Sequence, residues 1–435
     1  MPEKFDVIVV GAGPAGTTAA LALARAGVNV ALFERGEQPG AKNMFGGVLY
    51  YTESLNKLVP NFWREAPVER LVTRHIVTFL TPGSSCSLDF TDEEFGTSPY
   101  NGFTLLRAKF DRWYAQKAQE AGAFLVPETR VDDVVWDGDK VVGIQTNRSD
   151  GLVYADVVIA ADGANSLLAR RAGLRKLFSP SDFSVAAKEV LALPSETIDE
   201  RFGLAGNKGL AQTFVGACTQ GLEGGAFLYT NRASLSIGVV AKLSQLQEKK
   251  ISIAKLLDDF KLDPHISQVI KGAVLKEYSG HLIPEGGLNM IPELCGNGIL
   301  VVGDAAGLLN STGLTLEGMN FAIASGFAAA EAVKLAKESG NFSKEGLVTY
   351  KTLLEQSFVL QDLRTFRHTR KLLANPRIYN LYPLLICGIA RRVFRVNGQP
   401  RKKIWKLVKT EAKGKVSLWR LAKDVMQAGR ALIWL

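Results

Sequence analysis

The 435-residue chain is poor in the residues that carry most side-chain chemistry, with four cysteines and four histidines. Cys86, Cys218, Cys295 and Cys387 lie far apart and form no CxxC, which argues against a disulfide framework and against a self-contained metal or iron-sulfur site. His75, His265, His281 and His368 form no motif and read as structural or exposed. Long hydrophobic runs are missing too. A membrane span needs about 18 apolar residues in succession, and the best stretch, Ile378 to Ala390, is shorter and holds Asn380 and Pro383. The start MPEKFD has neither a basic n-region nor an apolar h-region, so no targeting peptide is expected and the cytoplasm is the expected compartment. Acidic residues are scarce at one end only: residues 361–435 hold 18 Lys+Arg against 3 Asp+Glu, the remainder 34 against 40. A mildly acidic body with a basic tail points to an anionic lipid surface or an acidic protein as partner, with no nucleic acid expected.

What the chain does have begins at once. Phe5 to Gly16, FDVIVVGAGPAG, is an apolar strand running into G-x-G-x-x-G, and Glu34 closes a second strand, NVALFE, eighteen residues after Gly16. Gly11 permits the sharp turn, Gly13 leaves room for a pyrophosphate against the backbone, and Gly16 lets the following helix pack close to the strand. Pro14 and Ala15 open that helix, whose unpaired N–H groups and dipole favour phosphate. Glu34 is placed to accept hydrogen bonds from the ribose hydroxyls of an adenosine. No second G-x-G-x-x-G for a nicotinamide follows; GLAGNKG at 203–209 has the wrong spacing.

Two more strand ends carry turn motifs, VVIAADGANS with Asp162-Gly163 and ILVVGDAAG with Gly303-Asp304. The first strand, these two and an alanine-rich helix from about Gly318 to Ser339 are expected to form an α/β, Rossmann-like nucleotide-binding domain assembled from residues 1–70, 100–180 and 285–340. Residues 71–99 and 181–284 would form an inserted α+β substrate domain, and residues 341–435 a helical basic region. A helix is expected over Thr104 to Gly122. In the tail, Leu418, Leu421, Ala422, Val425 and Leu432 share one helical face and Arg420, Lys423, Gln427 and Arg430 another, with Trp405, Trp419 and Trp434 added.

The trio of GxGxxG, DG and GD resembles the flavoprotein family of para-hydroxybenzoate hydroxylase and geranylgeranyl reductase, whose cofactor is FAD. The resemblance implies that Asp304 binds the ribityl chain, that Asp162 and Gly163 lie beside the pyrophosphate, and that Arg107, opening the LLRAKFD helix, lies near the cofactor. Arg35, Lys42, Gly46, Gly47, Val131 and Gly303 join that set. Gly313, Leu314 and Thr315, in a glycine-punctuated loop, are candidates for backbone N–H groups facing N1 and C2=O of the isoalloxazine.

GAKNMFGGVLY, the R-x-x-FD helix, GDAAGLLN with GLTLEGMNFAIASG, and the basic end are similar to the FixC-type flavoproteins and to their relatives, the electron-transfer-flavoprotein:quinone oxidoreductases. The similarity implies electron passage from an electron-transferring flavoprotein heterodimer to a membrane quinone, on the inner face of the cell membrane. The quinone oxidoreductases carry a cluster-binding ferredoxin-like domain at the C-terminus; here the tail holds only Cys387. That departure favours the FixC type, in which any [4Fe-4S] cluster comes from a separate ferredoxin-like small subunit. Two alternatives stay open, a geranylgeranyl reductase-like enzyme that saturates prenyl double bonds, and a non-catalytic prenyl-binding carrier comparable to the GDP-dissociation inhibitors.

Overall fold

A computed structural model describes residues 4–41, 47–177 and 179–432. Two sheets organise them. In the first, Lys4–Val10 lies between Val30–Phe33 and Leu152–Ala160, with Phe124–Val126 outside one and Ile299–Val301 outside the other, all parallel. Helices cover this sheet, so its strands are apolar throughout rather than alternating; Val7, Ile8, Val9, Val157, Val158 and Ile159 are at most 1% exposed. The helices Pro14–Arg25 and Met319–Ser339 pack through small residues. A Cβ on Gly326 would lie 2.1 Å from the Ala15 carbonyl oxygen, which is why this pair of helices is written in alanine and glycine.

The second sheet has Val274–Pro284, Phe183–Ala192, Ser234–Lys242, Gly224–Thr230, Lys208–Gly216, Val68–Thr81, Gly102–Leu105 and Val48–Tyr50 in that order. Its pairs are antiparallel except Lys208–Gly216 with Val68–Thr81, and Ser84–Thr91 adds to the latter strand. Two short strands depart from the expected boundaries. Val48–Tyr50 and Gly102–Leu105, from segments assigned to the nucleotide domain, pair with each other in the second sheet. The helix expected from Thr104 begins at Arg107, because Thr104 and Leu105 are still extended in that strand. Strands of three and four residues are too short to show a period of two.

The C-terminal helices lie across this sheet. Arg377–Phe394 contains Pro383, whose ring packs over Gly216; a Cβ there would come within 3.0 Å of Pro383 Cβ. The last helix, Leu418–Leu432, docks by a charge. Arg377 Nε and Nη2 donate to the two Asp424 carboxylate oxygens at 2.6 and 2.7 Å, and the Tyr382 hydroxyl donates to the same group. The inward face therefore carries Asp424 and Ala431, with Leu421 and Gln427 half-buried, while Trp419, Val425 and Met426 point out. This redraws the expected faces: Leu421 and Gln427, placed on opposite faces from sequence, both lean on the body. Trp434 lies outside the described residues.

Candidate functional site

The three motif-bearing strands are neighbours, and their carboxyl ends open side by side. Gly11 N–H donates to Phe33 O, Ala161 N–H to Val10 O and Val302 N–H to Ala160 O, at 2.8 to 3.0 Å. Gly11 has φ +105°, and a Cβ on it would lie 2.3 Å from Ala161 O. A Cβ on Gly16 would lie 2.0 Å from Gly11 O. These two glycines let strand, loop and helix close on one another. Gly13 is different: no atom of the described residues lies within 4 Å of where its Cβ would be. Its bare face opens into a cavity of about 930 Å³, at the N-terminus of the helix Pro14–Arg25, where the first amides have no intrahelical partner.

Of the residues picked from sequence, Gly11, Gly13, Pro14, Ala15, Glu34 and Arg35 line one end of this cavity. Gly47, Arg107, Val131, Asp162, Gly163 and Asp304 line its middle stretch or flanks, and Gly313, Leu314 and Thr315 also border it. Gly16 and Gly303 stand behind the wall; Gly303 is buried and donates its N–H to Ser325 Oγ at 2.9 Å. Lys42 and Gly46 lie outside the described residues.

Glu34 is held by its own loop, with Oε2 accepting from Ala12 N–H at 3.1 Å and Oε1 from Gly36 N–H at 2.7 Å. Arg107 forms a bidentate pair with Asp111, Nε to Oδ1 at 2.9 Å and Nη2 to Oδ2 at 2.8 Å. Burial works against its charge, but Asp111 and then Asp304 more than offset that and hold the guanidinium firmly protonated. Asp162 Oδ2 accepts from Leu168 N–H at 3.0 Å, and burial pushes its carboxyl up. Its Oδ1 is buried with no hydrogen-bond partner among the described residues, an acceptor left over at the cavity wall.

The loop at 312–317 corrects one expectation. Leu314 and Thr315 donate their N–H groups to Thr312 Oγ1, at 3.2 and 2.9 Å, in a serine/threonine-type turn. Among the described residues only Gly313, at φ +85°, keeps a backbone N–H without a partner in that trio. Sequence also passed over His281. Its Nε2 lies 3.7 Å from Asp304 Oδ2 and its ring borders the cavity; a lone histidine within a strand carries no spacing that would have pointed to it.

The fit to a dinucleotide is thus good on three counts: a glycine face left bare, a leftover buried acceptor, and an anchored acidic residue beyond the helix N-terminus. Bound there, FAD supplies a carrier that accepts an electron pair and can release electrons singly. Beyond the loop the lining of the cavity runs past Val240, Leu282, Ile283 and Leu309 to Ile378 and Tyr379 of the C-terminal helices, with the carboxylates of Glu223 and Glu285 on the same wall.

Residues 6–176 match the FAD dependent oxidoreductase family, and residues 369–433 match the ETF-QO/FixC family C-terminal domain. The chain is 44% identical over 430 residues to the probable electron transfer flavoprotein-quinone oxidoreductase YdiS of Escherichia coli (strain K12), covering 99% of both chains. It is 40% identical over 435 residues to the protein FixC of Rhizobium meliloti (strain 1021), again covering 99% of both. In fold it is similar to a geranylgeranyl bacteriochlorophyll reductase-like protein from Thermoplasma acidophilum, with a TM-score of 0.74, 21% identity, and 98% and 99% of the two chains covered. The end-to-end identity with YdiS and FixC decides the family: the chain belongs to the ETF-QO/FixC family of FAD-dependent oxidoreductases.

Proposed function

We propose that this oxidoreductase passes electrons from an electron-transferring flavoprotein heterodimer to a membrane quinone, working with a ferredoxin-like small subunit that holds any [4Fe-4S] cluster. The residues proposed to hold FAD are those at the cavity: Gly11, Gly13, Pro14, Ala15 and Glu34 toward the adenosine and pyrophosphate, Arg107, Asp162, Gly163 and Asp304 beside the linker, and Gly313 toward the ring. The observation that carries the reading is the apolar lining that begins where the glycine-rich site ends, Val240, Leu282, Ile283 and Leu309 on one side and Val48, Val77 and Leu316 on the other. Such a lining suits a lipid-soluble acceptor better than a charged nicotinamide.

The tail supports a peripheral seat on the inner face of the membrane. No helix among the described residues is long and apolar enough to cross a bilayer. Instead Phe394, Val396, Ile404, Trp405, Trp419 and Val425 are 57 to 82% exposed, amid the basic residues of 391–430. With Asp424 turned inward, the helix Leu418–Leu432 offers an apolar face flanked by Arg420, Lys423 and Arg430, the pattern of an interfacial helix.

Anaerobic mixing tests the redox reading. The yellow flavin should bleach on addition of the reduced electron-transferring flavoprotein, regain colour with a quinone analogue, and ignore NADH. Direct bleaching by NADH, or no reoxidation by quinone, would refute it. Loss of saturated prenyl chains in a deletion strain, with quinone reduction intact, would favour the prenyl reductase instead.

A further inference from the structure

A second cavity of about 780 Å³ abuts the first. Val48, Val77, Thr213, Tyr229, Leu314 and Thr315 form a wall common to both. Its outer part is apolar: Leu88 and Phe90 are 69% and 50% exposed, and Phe95 packs edge-on against Phe90 with ring centroids 6.0 Å apart. Among the described residues four tyrosines line it; Tyr51 and Tyr100 pack against Trp63, and Tyr50 and Tyr229 stand apart from that cluster. Tyr229 is stacked on Phe227 at 4.8 Å and presses on Gly47, where a Cβ would lie 3.0 Å from Tyr229 Cδ2. Tyr50 stands opposite Gly102, whose missing side chain gives the ring its space; a Cβ there would lie 3.3 Å from Tyr50 Cδ1.

Both hydroxyls lack a hydrogen-bond partner among the described residues, although burial pushes both phenols up, and Tyr229 and Glu317 push Tyr50 further. They therefore stay O–H donors at any physiological pH. Two carboxylates of the described residues line the cavity. Glu317 is already engaged, its Oε1 accepting from Thr315 Oγ1 at 3.2 Å and Oε2 from Asn320 Nδ2 at 2.7 Å, and burial pushes the Asp362 carboxyl up. Among the described residues no lysine or arginine lines this cavity, and burial pushes His75 toward its neutral form. A space with these two phenol donors, mostly apolar walls and no cation among the described residues disfavours carboxylates and phosphates; it suits a flat, uncharged ring bearing carbonyl oxygens.

We infer that Tyr50 and Tyr229 donate the hydrogen bonds that hold a carbonyl oxygen of the quinone acceptor, in the cavity reached past Leu88 and Phe90. This rests on the quinone reading and adds to it the residues that recognise the ring. The test uses FAD-loaded protein reduced with dithionite, then reoxidised either by a short-tailed benzoquinone or by ferricenium, which has no carbonyl. Tyr50→Phe and Tyr229→Phe should each lower the second-order rate with benzoquinone about 5-fold, the usual worth of one neutral hydrogen bond, and so lower the benzoquinone-to-ferricenium ratio by the same factor. Equal losses with both acceptors, or an unchanged ratio in both variants, would overturn the inference. If Tyr229→Phe loses flavin, Tyr50→Phe, which borders the second cavity alone, decides the matter. Wild-type protein that ferricenium reoxidises and benzoquinone does not would overturn the quinone reading itself, and this inference with it.

Discussion

The first sheet and the last helix treat apolar side chains in opposite ways. In the parallel sheet Val7, Ile8 and Val9 are at most 1% exposed, and the close approaches to its helices fall at Gly11, Gly16 and Gly326. In the helix Leu418–Leu432 an aspartate, Asp424, is 6% exposed while Trp419 is 74% and Val425 62% exposed. One region is organised to hold a cofactor against its own backbone. The other spends a charge on docking and leaves its apolar face for something else, so burial alone does not identify which part of an amphipathic helix belongs to the core.

The sharpest break in that comparison comes from the glycines. Gly16→Val should destabilise the whole domain by at least about 3 kcal/mol, since its side chain would have to enter the space of Gly11 O; thermal unfolding and soluble yield report it. Gly13→Val should leave the flavin-free protein within about 1 kcal/mol of wild type, the cost of a poorer N-cap, because no described residue lies within 4 Å of the new Cβ, yet abolish flavin binding. If both variants unfold alike, Gly13 is structural and the cradle reading fails.

The next effect concerns the tether. Asp424→Asn keeps the shape but removes the charge that pairs with Arg377, and should loosen the last helix by about 2 kcal/mol, seen as faster hydrogen exchange over residues 418–432 with the sheets unchanged. The pH dependence has a definite sign. Hydrogen bonding to Arg377 holds the Asp424 carboxyl below its ordinary value of 3.8. Its contribution is therefore complete above that value and lost as pH falls through the lower folded value. Acid-induced loosening in the wild type, with no such pH dependence in Asp424→Asn, is the expected result; loosening of the wild-type helix at neutral pH would contradict it.

How much of this was legible beforehand follows the range of each interaction. The glycines, Glu34 and the two later strand ends were readable because their constraints act over a few residues, and the chain brings them to one cavity. The tail showed that two faces exist, but which one turns inward depends on Arg377, which lies in another helix. Tyr50, Tyr229 and His281 left no spacing at all, since each comes from a different strand and gains its surroundings only when the second sheet assembles. The turn at Thr312 was hidden for another reason: a hydroxyl that captures two neighbouring amides looks, in sequence, like any other threonine.

The smallest expected effect tests the outward face directly. Val425→Ser changes a side chain that touches little of the protein, so thermal unfolding should stay within about 0.5 kcal/mol of wild type. On anionic vesicles the same change removes an apolar group from the headgroup boundary, and co-sedimentation should weaken by about 1 kcal/mol, close to 5-fold. Trp419, with Lys423 Nζ 5.6 Å from its ring centroid, offers the matching pair of apolar and basic contacts on the same face. If vesicle binding is unchanged by Val425→Ser while binding to a partner subunit falls, the exposed face is a protein contact, and the contrast with the sheet is one between two kinds of core rather than between core and membrane.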